Sequence, residues 1–294
     1  MNVKSVVSSK NLLGESPLWH PGERAVYWVD INGCRIHRFD PAHPELQTWQ
    51  FSEPVTTLAL TTDDALLLVA LGGRLLLWNS AGDERTEFVT VEKRWPGHRL
   101  NDGGAAPDGS LWVGSMQNNV AEDGSEIPIS ESTGALYRVL PSGDVTIADA
   151  GFGITNTIVW NSAATHFYCG CSLEGVLYKY LYEVRTGSLG ERSVFVRAAY
   201  PGVPDGSATD ANDVLWNCRH SGKCILGFAP NGELIQTIDM PATHITNCVF
   251  GDDDLRTLYV TSASLGAPKG EMLAGNLFSI RMDTPGPEPF RFRV

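Results

Sequence analysis

The stretch RLNDGGAAPDGSLWVGSM, residues 99–116, decides how the rest of the chain is read. It opens with a guanidinium, a carboxamide and a carboxylate crowded together at Arg99, Asn101 and Asp102. A turn signal follows at Pro107-Asp108-Gly109, and then the apolar run Leu111-Trp112-Val113. Gly/Asp turns flanked by alternating apolar residues predict a β-hairpin. Read alone, the polar cluster is a solvated loop closed by one salt bridge, with Asp102 holding Arg99. Other copies of the same phrase change that reading.

Working outward, the phrase recurs: a strand, a turn of Pro, Asp, Asn or Gly, a second strand rich in Trp or Tyr, and a third strand. One copy runs from Ser16-Pro17-Leu18-Trp19 into Ala25-Val26-Tyr27-Trp28, and the next from Thr57-Leu58-Ala59-Leu60 into Leu66-Leu67-Leu68-Val69. The opening stretch is the third. Three more begin at Thr157-Ile158-Val159-Trp160, Gly206-Ser207-Ala208-Thr209 and Asn247-Cys248-Val249-Phe250. Six copies at about 40–50 residues predict an all-β fold, a six-bladed β-propeller with four-stranded blades around a central channel. One blade cannot bury both of its faces, so neighbours stack and close the ring. The expectation is a single domain over residues 1–294, closed by strands near Val3–Val7 or 289–294. A β-sandwich or a seven-bladed ring are the alternatives. Residues 118–133 and 265–274 are long for hairpin loops, and such loops on a rigid scaffold often cover a site.

Thirty Gly and seventeen Pro favour short strands joined by turns. The formal net charge of -12 argues against a nucleic-acid partner, which needs a basic face, and disfavours anionic membranes. No run of about 18 apolar residues predicts a transmembrane helix, and the first residues lack the apolar core of a signal peptide. None of the six cysteines forms a C-x-x-C pair, so they read as buried reduced thiols of a cytoplasmic protein rather than as zinc ligands.

In a propeller the innermost strand of each blade lines the channel, and polar residues at the start of those strands converge on the axis. Those positions hold Glu15, then Arg99, Asn101 and Asp102, then Asn156, then Asp205. Blade six offers Thr246 and Asn247, and blade two only Thr56 and Thr57. Glu15, Asn156 and Asp205 present hard oxygen ligands, which suit Ca²⁺, Mg²⁺ or Mn²⁺ and also accommodate Zn²⁺. A cation so held polarises a carbonyl and acidifies a bound water, and a carboxylate beside it can move a proton. His98 and His244 read as structural histidines near the channel mouth. Trp19, Trp28, Trp112 and Trp216 read as packing between blades.

At these residues the chain resembles the gluconolactonase and regucalcin (senescence marker protein) family of six-bladed sugar lactonases. The matching motifs are Gly14-Glu15-Ser16-Pro17-Leu18-Trp19, Arg99-Leu100-Asn101-Asp102-Gly103, Pro107-Asp108-Gly109 with Gly114-Ser115-Met116, Pro204-Asp205-Gly206, and Phe250-Gly251 with Leu258-Tyr259-Val260-Thr261-Ser262-Ala263. They cover nearly the whole chain in order. The resemblance implies one divalent cation on the axis, held by Glu15, Asn156 and Asp205. It implies that Asp205 donates and accepts the proton, and that Arg99 and Asn101 bind the sugar-acid substrate. Three departures stand out. Asn156 is followed by Thr157 where the family usually has Gly. Cys171-Ser172 lacks an acid often found there. Gln117-Asn118-Asn119 replaces an acidic substrate contact, which hints at a different sugar or substituent.

The expected activity is metal-dependent opening of an aldonolactone to the aldonate, with a metal-bound water and Asp205 as general base and acid. The expected partner is a small-molecule sugar lactone, for a monomer or weak homo-oligomer. The alternatives are an esterase or phosphotriesterase on the same fold, or a non-catalytic calcium-binding propeller. The latter would need Glu15 and Asp205 but neither Arg99 nor Asn101.

Overall fold

A computed structural model describes residues 2–197 and 199–294. Its strands form six antiparallel sheets arranged as the blades of a six-bladed propeller, and no helix occurs among the described residues. Innermost strands are Gly14–His20, Val55–Leu60, His98–Ala105, Thr155–Trp160, Val203–Thr209 and His244–Gly251. Each hairpins into a second and third strand further out. Inner and second strands pack on both faces, so Ala25–Asp30 and Leu67–Leu71 are buried at every position. Outermost strands such as His43–Gln50 are largely exposed. Blade four departs from the four-strand plan: two short strands, Ser188–Leu189 and Ser193–Val196, share the outer edge of Val176–Glu183.

The core lies between blades. Tyr27 and Trp78 meet edge to face between blades one and two, Trp112 and Trp160 do so between three and four, and Trp19 stacks on Tyr259 between one and six. Val3–Val7 closes the ring as the outer strand of blade six, pairing Val3 with Ile280 and Lys4 with Ser279. Residues 289–294, the other expected closure, run elsewhere. The chain after blade six passes beneath the ring: Ala211 donates to the Pro285 carbonyl, Phe290 packs on Trp160, and Phe292 is fully buried between blades two and three. Together with Pro287, Glu288 and Pro289, Phe290 lines a cavity of about 180 Å³ in the lower channel.

All six innermost strands carry a register shift within one residue of the axial position, after Glu15, Val55, Leu100, Asn156, Pro204 and Ile245. A bulge adds an unpaired residue and re-aims its side chain. Repeated six times, it builds the site.

Candidate active site

The bulges bring Glu15, Arg99, Asn101, Asn156 and Asp205 together around the upper channel, and all five side chains are buried. Asn101 links two of the others: its Oδ1 accepts from Arg99 Nη1 at 2.6 Å, and its Nδ2 donates to Asn156 Oδ1 at 3.2 Å. Asn101 is therefore a bridge within the site before any substrate arrives.

Asn156 is followed by Thr157, whose φ of 54° lies in the left-handed region that a β-branched residue rarely adopts. The Thr157 hydroxyl offsets this by donating to the Asp205 carbonyl of the next blade. Ser172, which follows Cys171 where an acid is often found in the family, orients Asn156: its Oγ accepts from Asn156 Nδ2 at 2.8 Å and donates to the Pro204 carbonyl at 2.6 Å. The Asn156 nitrogen is thus anchored outward, which turns its oxygen toward the axis.

Arg99 is 1% exposed, yet no carboxylate touches it. Nε and Nη2 donate to Asn119 Oδ1 at 3.1 and 2.7 Å, and Nη1 also donates to the Leu100 carbonyl at 2.9 Å. Every one of these acceptors is neutral. Burial pulls the guanidinium down to about 10, while the charges of Glu15 and Asp205 oppose that shift.

The salt bridge expected between Asp102 and Arg99 does not form. The bulge turns Asp102 away, and its Oδ2 accepts from the Ile158 amide of blade four at 3.2 Å. Its Oδ1 meets Asn247 Nδ2 at 3.3 Å, and the same Asn247 nitrogen lies 3.1 Å from Glu15 Oε2. Asn247 thus bridges blades one and three across the axis. Its seat depends on Gly206, where an added Cβ would lie 2.0 Å from Asn247 Cγ. Asp205 itself is held through its carbonyl, which also accepts from Asn217 Nδ2 at 3.1 Å.

Burial raises all three carboxyls. Asp102 is pushed up to about 6 by burial. Burial and the neighbouring Asp102 raise Glu15, and burial, Glu15 and Asp102 raise Asp205 well above the carboxylate range. Carboxyls packed this closely resist ionising together unless a cation compensates them. That is one test of fit for a divalent ion, and the donor set is the other: two carboxyls and an oriented amide oxygen suit a hard cation. Among the described residues no three His, Cys, Asp or Glu side chains form a ready metal cluster. Glu15, Asn156 and Asp205 supply only two such groups, the third donor being an amide. The residues present fit the ion.

Asn119, Ser172 and Asn217 complete the site beyond the axial residues read from sequence, and Asn247, read there as a blade-six offering, joins it. Asn217 left a signal, a lone amide in the otherwise apolar Leu215-Trp216-Asn217-Cys218 strand. The loop over 118–133 covers the site as expected: it contributes Asn119 and reaches blade one, where Asn32 Nδ2 donates to the Gly124 carbonyl at 2.9 Å. His98 bonds Thr133 Oγ1 at 2.7 Å and has no part in the site. No helix among the described residues is long and apolar enough to cross a membrane.

The family described as SMP-30/Gluconolactonase/LRE-like region matches residues 13–264. The chain is 32% identical to the pentonolactonase XacC of Haloferax volcanii, over 100% of this chain and 99% of that protein. It is 28% identical to a 6-deoxy-6-sulfogluconolactonase of Pseudomonas putida, over 97% and 96% of the two chains. Among solved structures, a calcium-binding protein, regucalcin, of Agrobacterium tumefaciens superposes with a TM-score of 0.92 at 25% identity, covering 100% of this chain and 98% of that one.

Proposed function

The chain belongs to the SMP-30/gluconolactonase/LRE-like family, and from that premise we propose that it is a sugar lactonase, hydrolysing the lactone of a sugar acid with the help of one divalent cation held by Glu15, Asn156 and Asp205. The observation that carries the reading is the meeting, in one buried site, of those three oxygen donors with a guanidinium that only neutral acceptors hold. The named activities of the relatives support it.

Water adds to the lactone carbonyl carbon, the bond from that carbon to the ring oxygen breaks, and a carboxylate and a hydroxyl result. The cation, when bound, supplies Lewis-acid polarisation and lowers the pKa of a water. Asp205 takes the proton from the attacking water and returns it to the departing ring oxygen. Arg99 meets the negative charge that develops on the carbonyl oxygen. Because Asn119, Asn101 and the Leu100 carbonyl bring no counter-charge of their own, its positive charge is left for the substrate. Asn101 keeps Arg99 and Asn156 in register with one another, and its oxygen retains a second lone pair for a substrate hydroxyl.

A pH-drop assay on a panel of aldonolactones tests this. The wild-type protein is expected to acidify at least one of them, and Asp205→Ala to lose that turnover while melting as a folded protein. A fully active Asp205→Ala variant would remove Asp205 from the mechanism.

A further inference from the structure

His244 and Arg99 hold the same register position on opposite walls of the channel. Arg99 pairs with Met116 just before the bulge that follows Leu100, and His244 pairs with Ala263 just before the bulge that follows Ile245. Each lies two residues before an axial residue, Asn101 or Thr246, in the first part of its innermost strand. Blades three and six face each other across a six-membered ring.

His244 does not stand alone. Its ring stacks on His220, with centroids 4.3 Å apart and planes 19° from parallel. His220 ends the second strand of blade five and pairs with Val203, two residues before Asp205. Ser221 Oγ lies 3.1 Å from His220 Nδ1 and 3.2 Å from His244 Nδ1. His244 is 7% exposed, and its Nε2 has no hydrogen-bond partner among the described residues. A buried polar nitrogen left without a partner calls for an explanation.

The serine hydroxyl fixes what the pair can present. It carries one proton and two lone pairs, so it can donate to one Nδ1 while accepting from the other. Burial together with the neighbouring His244 pushes His220 down to about 4. When both rings are neutral, that arrangement makes them opposite tautomers. One then offers an Nε2–H donor and the other a bare Nε2 acceptor, side by side.

We propose that His220 and His244, stacked at the mouth opposite Arg99 and locked into opposite tautomers by Ser221, recognise a pair of adjacent hydroxyls on a polyhydroxylated substrate. The inference rests on the lactonase reading and makes the pair a specificity element of that reaction. A vicinal diol supplies the matching acceptor and donor, whereas an unsubstituted lactone supplies neither. A histidine pair that only tied blades five and six together would affect melting and leave hydroxyl preference alone.

The test compares kcat/KM on an aldono-1,4-lactone with that on γ-butyrolactone, which has no hydroxyls, for wild type, His244→Phe, His220→Phe and Ser221→Ala. The phenylalanines keep a stacked ring and remove Nε2, and Ser221→Ala keeps both rings and releases the tautomers. Each phenylalanine variant is expected to lose about tenfold on the hydroxylated lactone, the worth of one good hydrogen bond, and to leave γ-butyrolactone turnover unchanged. Ser221→Ala is expected to lose less. An unchanged ratio in folded phenylalanine variants, or an equal fall on both substrates, overturns the proposal. Long-range ¹⁵N spectra of the imidazoles, recorded with and without the aldonate, give a readout independent of turnover. One Nδ1–H and one Nε2–H ring, both shifting on aldonate addition, support the pair. Two identical tautomers, or no shift, contradict it. A wild-type protein that hydrolyses no lactone yet shows these shifts would sink the lactonase reading and leave the diol patch standing.

Discussion

The same six inner strands build both ends of the central channel, and the ends differ sharply. At the upper end Glu15, Asn156 and Asp205 crowd buried polar groups that strain against each other's charge. A few residues further along, Leu18, Ile158 and Phe250 line a cavity that the chain after blade six borders from below. The bulge between the two halves of each strand separates them. Above it buried polar side chains meet at the axis at a cost in stability, and below it packing holds the ring together. If that division is right, substitutions at the two ends should have separable effects.

The largest expected effect lies above the bulge. Asp205→Asn keeps the shape and removes the base, and should lower kcat by roughly a hundred- to ten-thousand-fold with the melting temperature unchanged or raised. Second comes the lower end. Phe292 is fully buried beside Phe88, Leu68 and Leu111, so Phe292→Ala should cost about 3–5 kcal/mol of stability in chemical denaturation. Below its melting point that variant should keep wild-type kcat. A Phe292→Ala protein that is stable but inactive would break the division.

Gly206→Ala sharpens the comparison at the bulge itself. The new methyl must displace Asn247, and with it the contacts to Glu15 and Asp102. Metal affinity, read by calorimetric titration, is expected to fall about 10–100-fold, as when a residue supporting a ligand is lost. Asn247→Ala should do the same, and the double variant should be no worse than either alone. Additive losses would mean that Gly206 and Asn247 act separately.

The smallest effect is on pH. A carboxyl raised on folding holds a proton in the native state that the unfolded chain has already released. Its contribution to stability is present below the ordinary carboxylate range, near pH 4, and is lost as pH rises through the folded value. For Asp102 and Glu15 those values are about 6 and about 7. Without a divalent cation the protein should therefore melt at a lower temperature at pH 8 than a pH 5 sample would lead one to expect from its other groups. Saturating cation should stabilise the pH 8 sample more than the pH 5 one. Equal gains at both pH values would argue against charge crowding at the upper end.

The propeller could be read from the sequence because its signal is local. Each blade repeats an apolar second strand carrying Trp or Tyr after a polar turn, and that period survives without any knowledge of contacts. The axial residues were readable for the same reason, since Glu15, Asn101, Asn156 and Asp205 sit at one recurring point of the phrase. What stayed hidden depends on contacts between distant segments. Asn247 meets Glu15 across 232 positions of the chain, and nothing near Gly206 signals that its missing side chain makes the room. Asp102 misled for a related reason. Its nearness to Arg99 in sequence suggested a salt bridge, but a bulge after Leu100 turns the two apart. Thr157, whose bulk seemed to constrain Asn156, takes the glycine-like conformation and uses its hydroxyl to hold Asp205.

Lactone hydrolysis followed by pH-stat, before chelation, after exhaustive chelation and after stepwise return of Ca²⁺, Mg²⁺, Mn²⁺ or Zn²⁺, bears most directly on the upper site. The account predicts that turnover is lost with the metal and restored by at least one of these ions, at one equivalent per chain, and that Glu15→Gln weakens the restoring ion's binding. Full turnover in chelated protein, with no metal bound by wild type, would contradict it.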